Sequence, residues 1–448
     1  MTTPHDQFLV AATVPVDGWH GGGDLEEAQA LLAAHPDLST HSIHAAAVLG
    51  DSVVVGRFLQ REPGLATTPG GPRGWDPLTH LCFSRYLRLD PGRSEGLVES
   101  ARQLLLAGAS PNTGWNETLP EGRVFLEAVL YGAAGIAQHP GLTRLLLEHG
   151  GDPNDEETSY HVPETYDLTV LRILLESGRF NATSLATVLL RKCDWHDVEG
   201  VRLALQFGAD PNRQTVWGRT AFHQAVIRCN PLAIVEAMLD HGADPTLPFH
   251  GTPGYVLAAR EGRGDILRLL SERGWSLEFS GVDQLLAACA WGDTPQALEL
   301  ARDIFGTKGP DTAEVGRWLG RFANSGDPVS MTALLDVVLD RGIPVDAEWP
   351  EGLEFMNIPR RSTALQVAAW RARHAVVALL VARGADVHRR DSLGRTPLDL
   401  ALKACVDSWW MGRRTTESIA TLLAAGANPA GLALPTGYPE ADAVLQHR

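Results

Sequence analysis

Apolar residues along this chain fall into short blocks that return every three or four positions, the spacing of a helix that buries one side. RQLLLA (102–107), TRLLLEH (143–149), VEAMLDH (235–241), VVALLVAR (376–383) and IATLLAA (419–425) all read this way. Each block runs into a stop of one type: GASPN (108–112), GGDPN (150–154), GADPN (208–212), GADPT (242–246), GADVH (384–388) and GANPA (426–430). Gly after the last apolar turn supplies the left-handed residue that closes a helix, and Asp-Pro or Asn-Pro then forces an extended turn. Matching starts lie downstream, in HSIHAAAV (41–48), GRTAFHQAV (218–226), RSTALQVAAW (361–370) and GRTPLDLAL (394–402). Thr caps the following helix there, and paired Ala lets a neighbouring helix approach closely.

Start, short helix, turn, longer helix and stop together span roughly 30 to 34 residues, and the pattern resembles the ankyrin repeat. Weaker copies fall in register at LTVLRILLESGRF (168–180), GDILRLLSERGW (264–275), DQLLAACAWGD (283–293) and ALLDVVLDRGIPVD (333–346). The resemblance implies an all-α ankyrin-repeat solenoid of about eleven or twelve stacked helix-turn-helix units, with loops or short hairpins between them. Residues 1–40 are expected to form an N-terminal arm and partial capping repeat, 41–430 the array, and 431–448 a C-terminal tail. Extra residues stand near 84–99, 132–141, 326–333 and 405–418, where insertions at the turn between two helices are expected.

One stretch breaks the rule. In NDEETSYHVPE (154–164), Thr158 to His161 align with a helix start, so Pro163 and Glu164 take the places of the Ala pair. A carboxylate inside the first helix of its unit must find a cation or several donors. His161 stands three positions earlier on the same helical face, and Tyr160 and Glu157 lie within reach.

Composition narrows the function classes. The chain has 448 residues, 44% hydrophobic, and a net charge of −16, which sets it against a general duplex-binding surface. The N-terminus lacks a basic segment followed by a long apolar run, and no stretch reaches the ~18 apolar residues of a membrane span, so a cytoplasmic protein is expected. Five cysteines without a C-x-x-C pair suggest neither a disulfide framework nor a thiolate zinc site. Charge is uneven: from Arg360 to Arg414 eleven Arg or Lys face four Asp, a net +7, leaving −23 for the remainder. That polarity raises salt-sensitive self-association as one expectation.

Sought chemistry is mostly absent. GRSEG (92–96) spells G-x-S-x-G but sits in an inserted turn between helices, outside the strand-to-helix elbow the motif requires. His41 and His44 lack a third ligand nearby, so no metal is expected, and no cofactor motif occurs. Tryptophan is more informative. Trp75, Trp115, Trp217 and Trp349 fall in loops between units, Arg219 follows Trp217 closely, and Trp409 and Trp410 precede Arg413 and Arg414. Such residues are natural interface anchors. The leading expectation is therefore a non-catalytic scaffold that binds a protein or peptide through loop tips and a concave groove. The alternative is an enzyme or small-molecule binder using a polar pocket of Glu157, Tyr160, His161 and Glu164, with Asp76 and His80 as further candidates.

Overall fold

A computed structural model describes residues 3–118, 122–306, 308–407 and 413–446. The chain divides into two compact units: Met1–Ala221 with Glu236–Ala243, and Phe222–Val235 with Asp244–Arg448.

Unit 1 begins with α1 (Pro4–Ala12), α2 (Glu26–Ala34), α3 (Leu38–His41), α4 (Ile43–Leu49) and α5 (Ser52–Arg61). It continues through α6 (Pro77–Cys82), α7 (Arg85–Leu89), α8 (Ser94–Leu106), the strands β1 (Gly114–Thr118) and β2 (Val124–Ala128), and a π-helical turn, Tyr131–Ile136. It closes with α9 (Pro140–Glu148), α10 (Glu157–His161), α11 (Thr169–Glu176), α12 (Ala182–Asp194) and α13 (Val198–Gln206). Helix starts carry the expected caps. Ser42, Asp51 and Asp197 each accept a hydrogen bond from the backbone N–H three residues on, and Asn181 accepts two. The stops behave as their Gly implies, with Gly150 and Gly208 at φ +97° and +87°, where a side chain would be strained.

Two rows of helices result. α4 packs on α6 and α10 on both the π turn and α12, while α5, α8, α9 and α11 pack in succession along the other row. The second row is amphipathic for a plain reason: α9 buries Leu142, Leu145, Leu146 and Leu147, and α11 buries Val170, Leu171, Ile173, Leu174 and Leu175. Each fully buried Leu contributes ~1.5 to 3 kcal/mol. In the first row α4 buries the small residues Ala45, Ala46 and Ala47, and Gly132 lies where an added Cβ would stand 2.6 Å from the carbonyl of Cys82. Residues 132–141 hold the π turn, with Ala137 N–H donating to the carbonyl of Gly132. Residues 84–99 fold as α7, a short 3-10 turn and the first turns of α8. At the N-terminus α1 packs on α2 and α4, with Phe8 and Leu9 wholly buried.

Within unit 2, and at the division of the two, come α14 (Ala221–Ile227), α15 (Leu232–Asp240), β3 (Pro248–Phe249), β4 (Thr252–Pro253), α16 (Gly254–Arg260), α17 (Gly264–Glu272) and α18 (Val282–Trp291). Then follow α19 (Thr294–Phe305), α20 (Thr312–Ser325), α21 (Pro328–Asp340), α22 (Ala364–Trp370), α23 (His374–Ala382), α24 (Pro397–Val406), α25 (Glu417–Ala424) and α26 (Pro439–Gln446). Unit 2 repeats the scheme, with α20, α22 and α24 in one row and α19, α21, α23 and α25 in the other. Residues 326–333 are not an extended insertion: Gly326 ends α20, Asp327 caps α21, and the helix runs on from Pro328. Among the described residues the fold is mostly helical, and the short β1–β2 and β3–β4 ribbons are hairpins of the kind expected between helices. No described helix is long and apolar enough to cross a membrane, and all five cysteines are buried free thiols.

Candidate functional site

The site grows from the irregular units of unit 1. In the β1–β2 ribbon Trp115 pairs with Glu127 and Glu117 with Phe125, so these four side chains share one face. Next comes the π turn with Tyr131, then α10, whose N-terminal turn is fixed by Asp155. One Asp155 carboxylate oxygen accepts from the Thr158 N–H at 2.6 Å and the other from the Thr158 hydroxyl at 2.7 Å.

α10 is shorter than the sequence pattern suggests. Pro163 has no N–H to extend the ladder, and the helix ends at His161. Glu164 therefore lies just beyond the helix rather than inside it, its N–H donating to the carbonyl of His161 at 3.0 Å. That displacement frees its carboxylate to meet cations. His161 Nδ1 stands 3.1 Å from Glu164 and its Nε2 3.1 Å from Glu157, so both ring nitrogens donate. Arg191 of α12 reaches Glu164 and Asp194, donates Nε–H to the carbonyl of Tyr160 at 3.2 Å, and lays its guanidinium 3.9 Å from the Tyr160 ring centre.

Electrostatics follow the geometry. Burial would depress the His161 imidazole, but its hydrogen bonds to Glu157 and Glu164 and their charges outweigh that and hold it up at about 9. Burial alone would raise Glu164; the bonds from His161 and Arg191 prevail and lower it. Glu127, 1% exposed, is pushed up to about 8 by burial and by the charges of Glu157 and Glu117. His20 is lowered by burial, against a pull from Glu117.

Ring contacts link these groups into a continuous ladder. It runs His44, His80, Trp75, Trp115, His20, Tyr131, His161, Tyr160 and Trp217, with successive ring centres 4.8 to 5.9 Å apart. Contacts of this kind add about 0.5–1.5 kcal/mol each beyond area burial. Over the Tyr160 end opens a cleft of about 460 Å³ whose lining includes Phe125, Glu157, Tyr160, Thr187, Val216 and Trp217.

The structure brings together Glu157, Tyr160, His161 and Glu164, but sets Asp76 and His80 to other tasks. Asp76 caps α6 and receives the Thr113 hydroxyl. His80, held down to about 3 by burial, stands with Nε2 3.2 Å from the Gly70 carbonyl. Among the tryptophans, Trp75 is buried and stacked on half-buried Trp115, and Trp349 is buried against Gly320. Trp217 is 39% exposed at the cleft, and Arg219 is half-buried with its carbonyl accepting from Thr215. Arg413 and Arg414 are half-buried, their carbonyls accepting from His374 and Tyr438. Trp409 and Trp410 lie outside the described residues. The cationic stretch is largely engaged inside unit 2: Arg371 is buried, and Arg361 and Arg389 converge on Glu348. A further cleft of about 590 Å³ lies between residues 351–360 and 392–395 and uses none of these candidates.

Sequence reasoning missed His20, Glu117, Glu127, Tyr131 and Arg191. A faint signal existed in GWNET and VFLEA, two short runs that hold the strand-favouring Trp, Thr, Val and Phe with a carboxylate in each.

Two family models match the chain, one described as "Ankyrin repeats (many copies)" over residues 189–239 and one as "Ankyrin repeat" over residues 360–392. The chain carries ankyrin repeats over those residues. No curated protein matches it. Among solved structures it is similar to the crystal structure of the human ASB11 ankyrin repeat domain, at 21% identity over 61% of this chain and 99% of that one, with a TM-score of 0.26. At that score the likeness carries no further argument.

Proposed function

We propose that the chain is a non-catalytic interaction scaffold that takes a segment of a partner protein into the cleft above Tyr160. Ankyrin repeats are in general protein-interaction modules. The observation that carries the reading is the pair Val216 and Trp217, adjacent and exposed by 76% and 39% at the rim of a cleft with Phe125 and Tyr160 in its wall. Exposed neighbouring apolar residues beside a groove are the usual anchor of an interface. Asn154, Ser159, Asn181 and Thr183 are neutral polar lining, and the charged residues there are paired, Arg123 with Glu156 and Glu157 with His161, so an uncharged segment with one apolar or aromatic anchor fits best. Residues 41–430 would supply a solenoid of about eleven or twelve repeats, with residues 1–40 as arm and cap and 431–448 as tail. Five free thiols suit a reducing, cytoplasmic compartment.

Acid-base catalysis at the same place has less support. His161 donates from both nitrogens to carboxylates and stays protonated to about pH 9, so it has no lone pair to accept a proton. The test is selection from a random peptide library on the full chain, followed by affinity measurement against Trp217→Ala. Enriched peptides should share an apolar anchor and bind the variant about tenfold or more weakly at an unchanged melting temperature. Peptides that bind both proteins alike, or no enrichment, would refute the proposal.

A further inference from the structure

His20, Glu117 and Glu127 stand beside the cleft without lining it, and nothing in the interaction reading uses them. We propose that these three side chains form a binding site for a divalent first-row transition-metal ion. One donor atom from each lies within 4.8 Å of the others. His20 Nε2 is 3.7 Å from Glu117 Oε2, and Glu127 Oε2 lies 3.8 Å from the other nitrogen of the same ring, so the imidazole stands between the two carboxylates. Ligands held at ~2.1 Å around a tetrahedral ion stand about 3.4 Å apart, so small side-chain movements close the set.

Two unpartnered atoms point to a ligand independently of that spacing. His20 Nε2 and Glu127 Oε2 are buried with no hydrogen-bond partner, in residues 7% and 1% exposed. Native interiors rarely leave such atoms unsatisfied. Tyr131 Oη lies 3.0 Å from His20 Nδ1. With the His20 proton on Nδ1 and donated to that oxygen, Nε2 presents a bare lone pair, the orientation that outer-shell partners impose on metal-binding histidines. Charge agrees. Glu117 and Glu127 share one face of the ribbon and Glu157 acts on both His20 and Glu127, whereas the neighbouring cation, His161, is held by Glu157 and Glu164.

One imidazole and two carboxylates suit zinc, manganese or iron(II) better than calcium or magnesium, which favour oxygen alone. Glu117, with its side chain 26% exposed, gives the route of entry. Because His20 comes from the segment between α1 and α2 and the carboxylates from both strands, the ion would tie the N-terminal segment to the ribbon.

The test uses the full chain stripped with a chelator and titrated calorimetrically with Zn²⁺ and, separately, Mn²⁺. One saturable ion per chain is expected, with a rise in melting temperature on binding. Affinity should fall at least about tenfold in Glu127→Gln and Glu117→Gln, and about tenfold in Tyr131→Phe, which keeps every ligand. Co²⁺ should give a visible ligand-field spectrum that disappears in Glu127→Gln. Should Glu127→Gln not fold, Glu117→Gln carries the same comparison from a partly exposed position. Absence of saturable binding, or binding unchanged in the foldable Glu variants, overturns the site.

Discussion

His161 shows how one residue can be legible and misleading together. Its place after Thr158 marks a helix start, and its neighbours Glu157 and Glu164 were visible as carboxylates four positions before and three after it. What the pattern could not place was Arg191, which stands twenty-seven residues beyond Glu164 and reaches it only because α10 and α12 pack side by side. The resulting ion-pair cluster sets a pH dependence with a definite sign. Below the unfolded value of 6.5, His161 is protonated in both states and its stabilising contribution is complete. As pH rises toward about 9 the unfolded chain gives up the proton first, and the contribution is lost across that window. Urea unfolding of wild type and His161→Gln at pH 6.5 and 9.5 should show their difference shrinking by on the order of 2–3 kcal/mol. A difference that stays flat would mean the carboxylates do not hold the imidazolium.

At the scale of elements, local rules carried far. Caps, glycine stops and Leu-rich faces were all readable, because each is settled within a few residues of chain. Short hairpins were expected, but the place and register of β1–β2 and the π turn were not readable, since their stability comes from neighbours on either side. Trp115 reads as a loop tip in sequence, yet it stacks on Trp75 and meets His20 edge-on once the ribbon folds over the first row of helices. Gly132 is one tight point of that arrangement. Gly132→Ala places a methyl group 2.6 Å from the Cys82 carbonyl, a backbone atom that cannot swing aside. Chemical denaturation should show a loss of about 1–3 kcal/mol. Gly64→Ala, which meets nothing within 4 Å, serves as the control and should change little.

For the whole molecule, stability in stacked repeats is close to a sum of each repeat and its nearest-neighbour interfaces. Leu146 of α9 is wholly buried, and Leu146→Ala should cost ~2–5 kcal/mol locally. Hydrogen exchange read by mass spectrometry should accelerate in α8, α9 and α11, the helices in or against that layer, and leave α22 to α25 of unit 2 as in wild type. Uniform acceleration through the chain would show a single cooperative core instead.

The amino-acid order by itself determined the repeat, its helix starts and stops, the buried Leu faces and the unusual Pro163-Glu164 pair, because these depend on backbone preferences and periodicity over short spans. Only the tertiary structure decided which side chains meet. It buried Trp75 and Trp349, exposed Trp217 beside a cleft, gave Glu164 to His161 and Arg191, and gathered His20, Glu117 and Glu127 from three segments. The reason is physical: the partners of a buried charge are chosen by close packing between units, and that packing joins residues many positions apart.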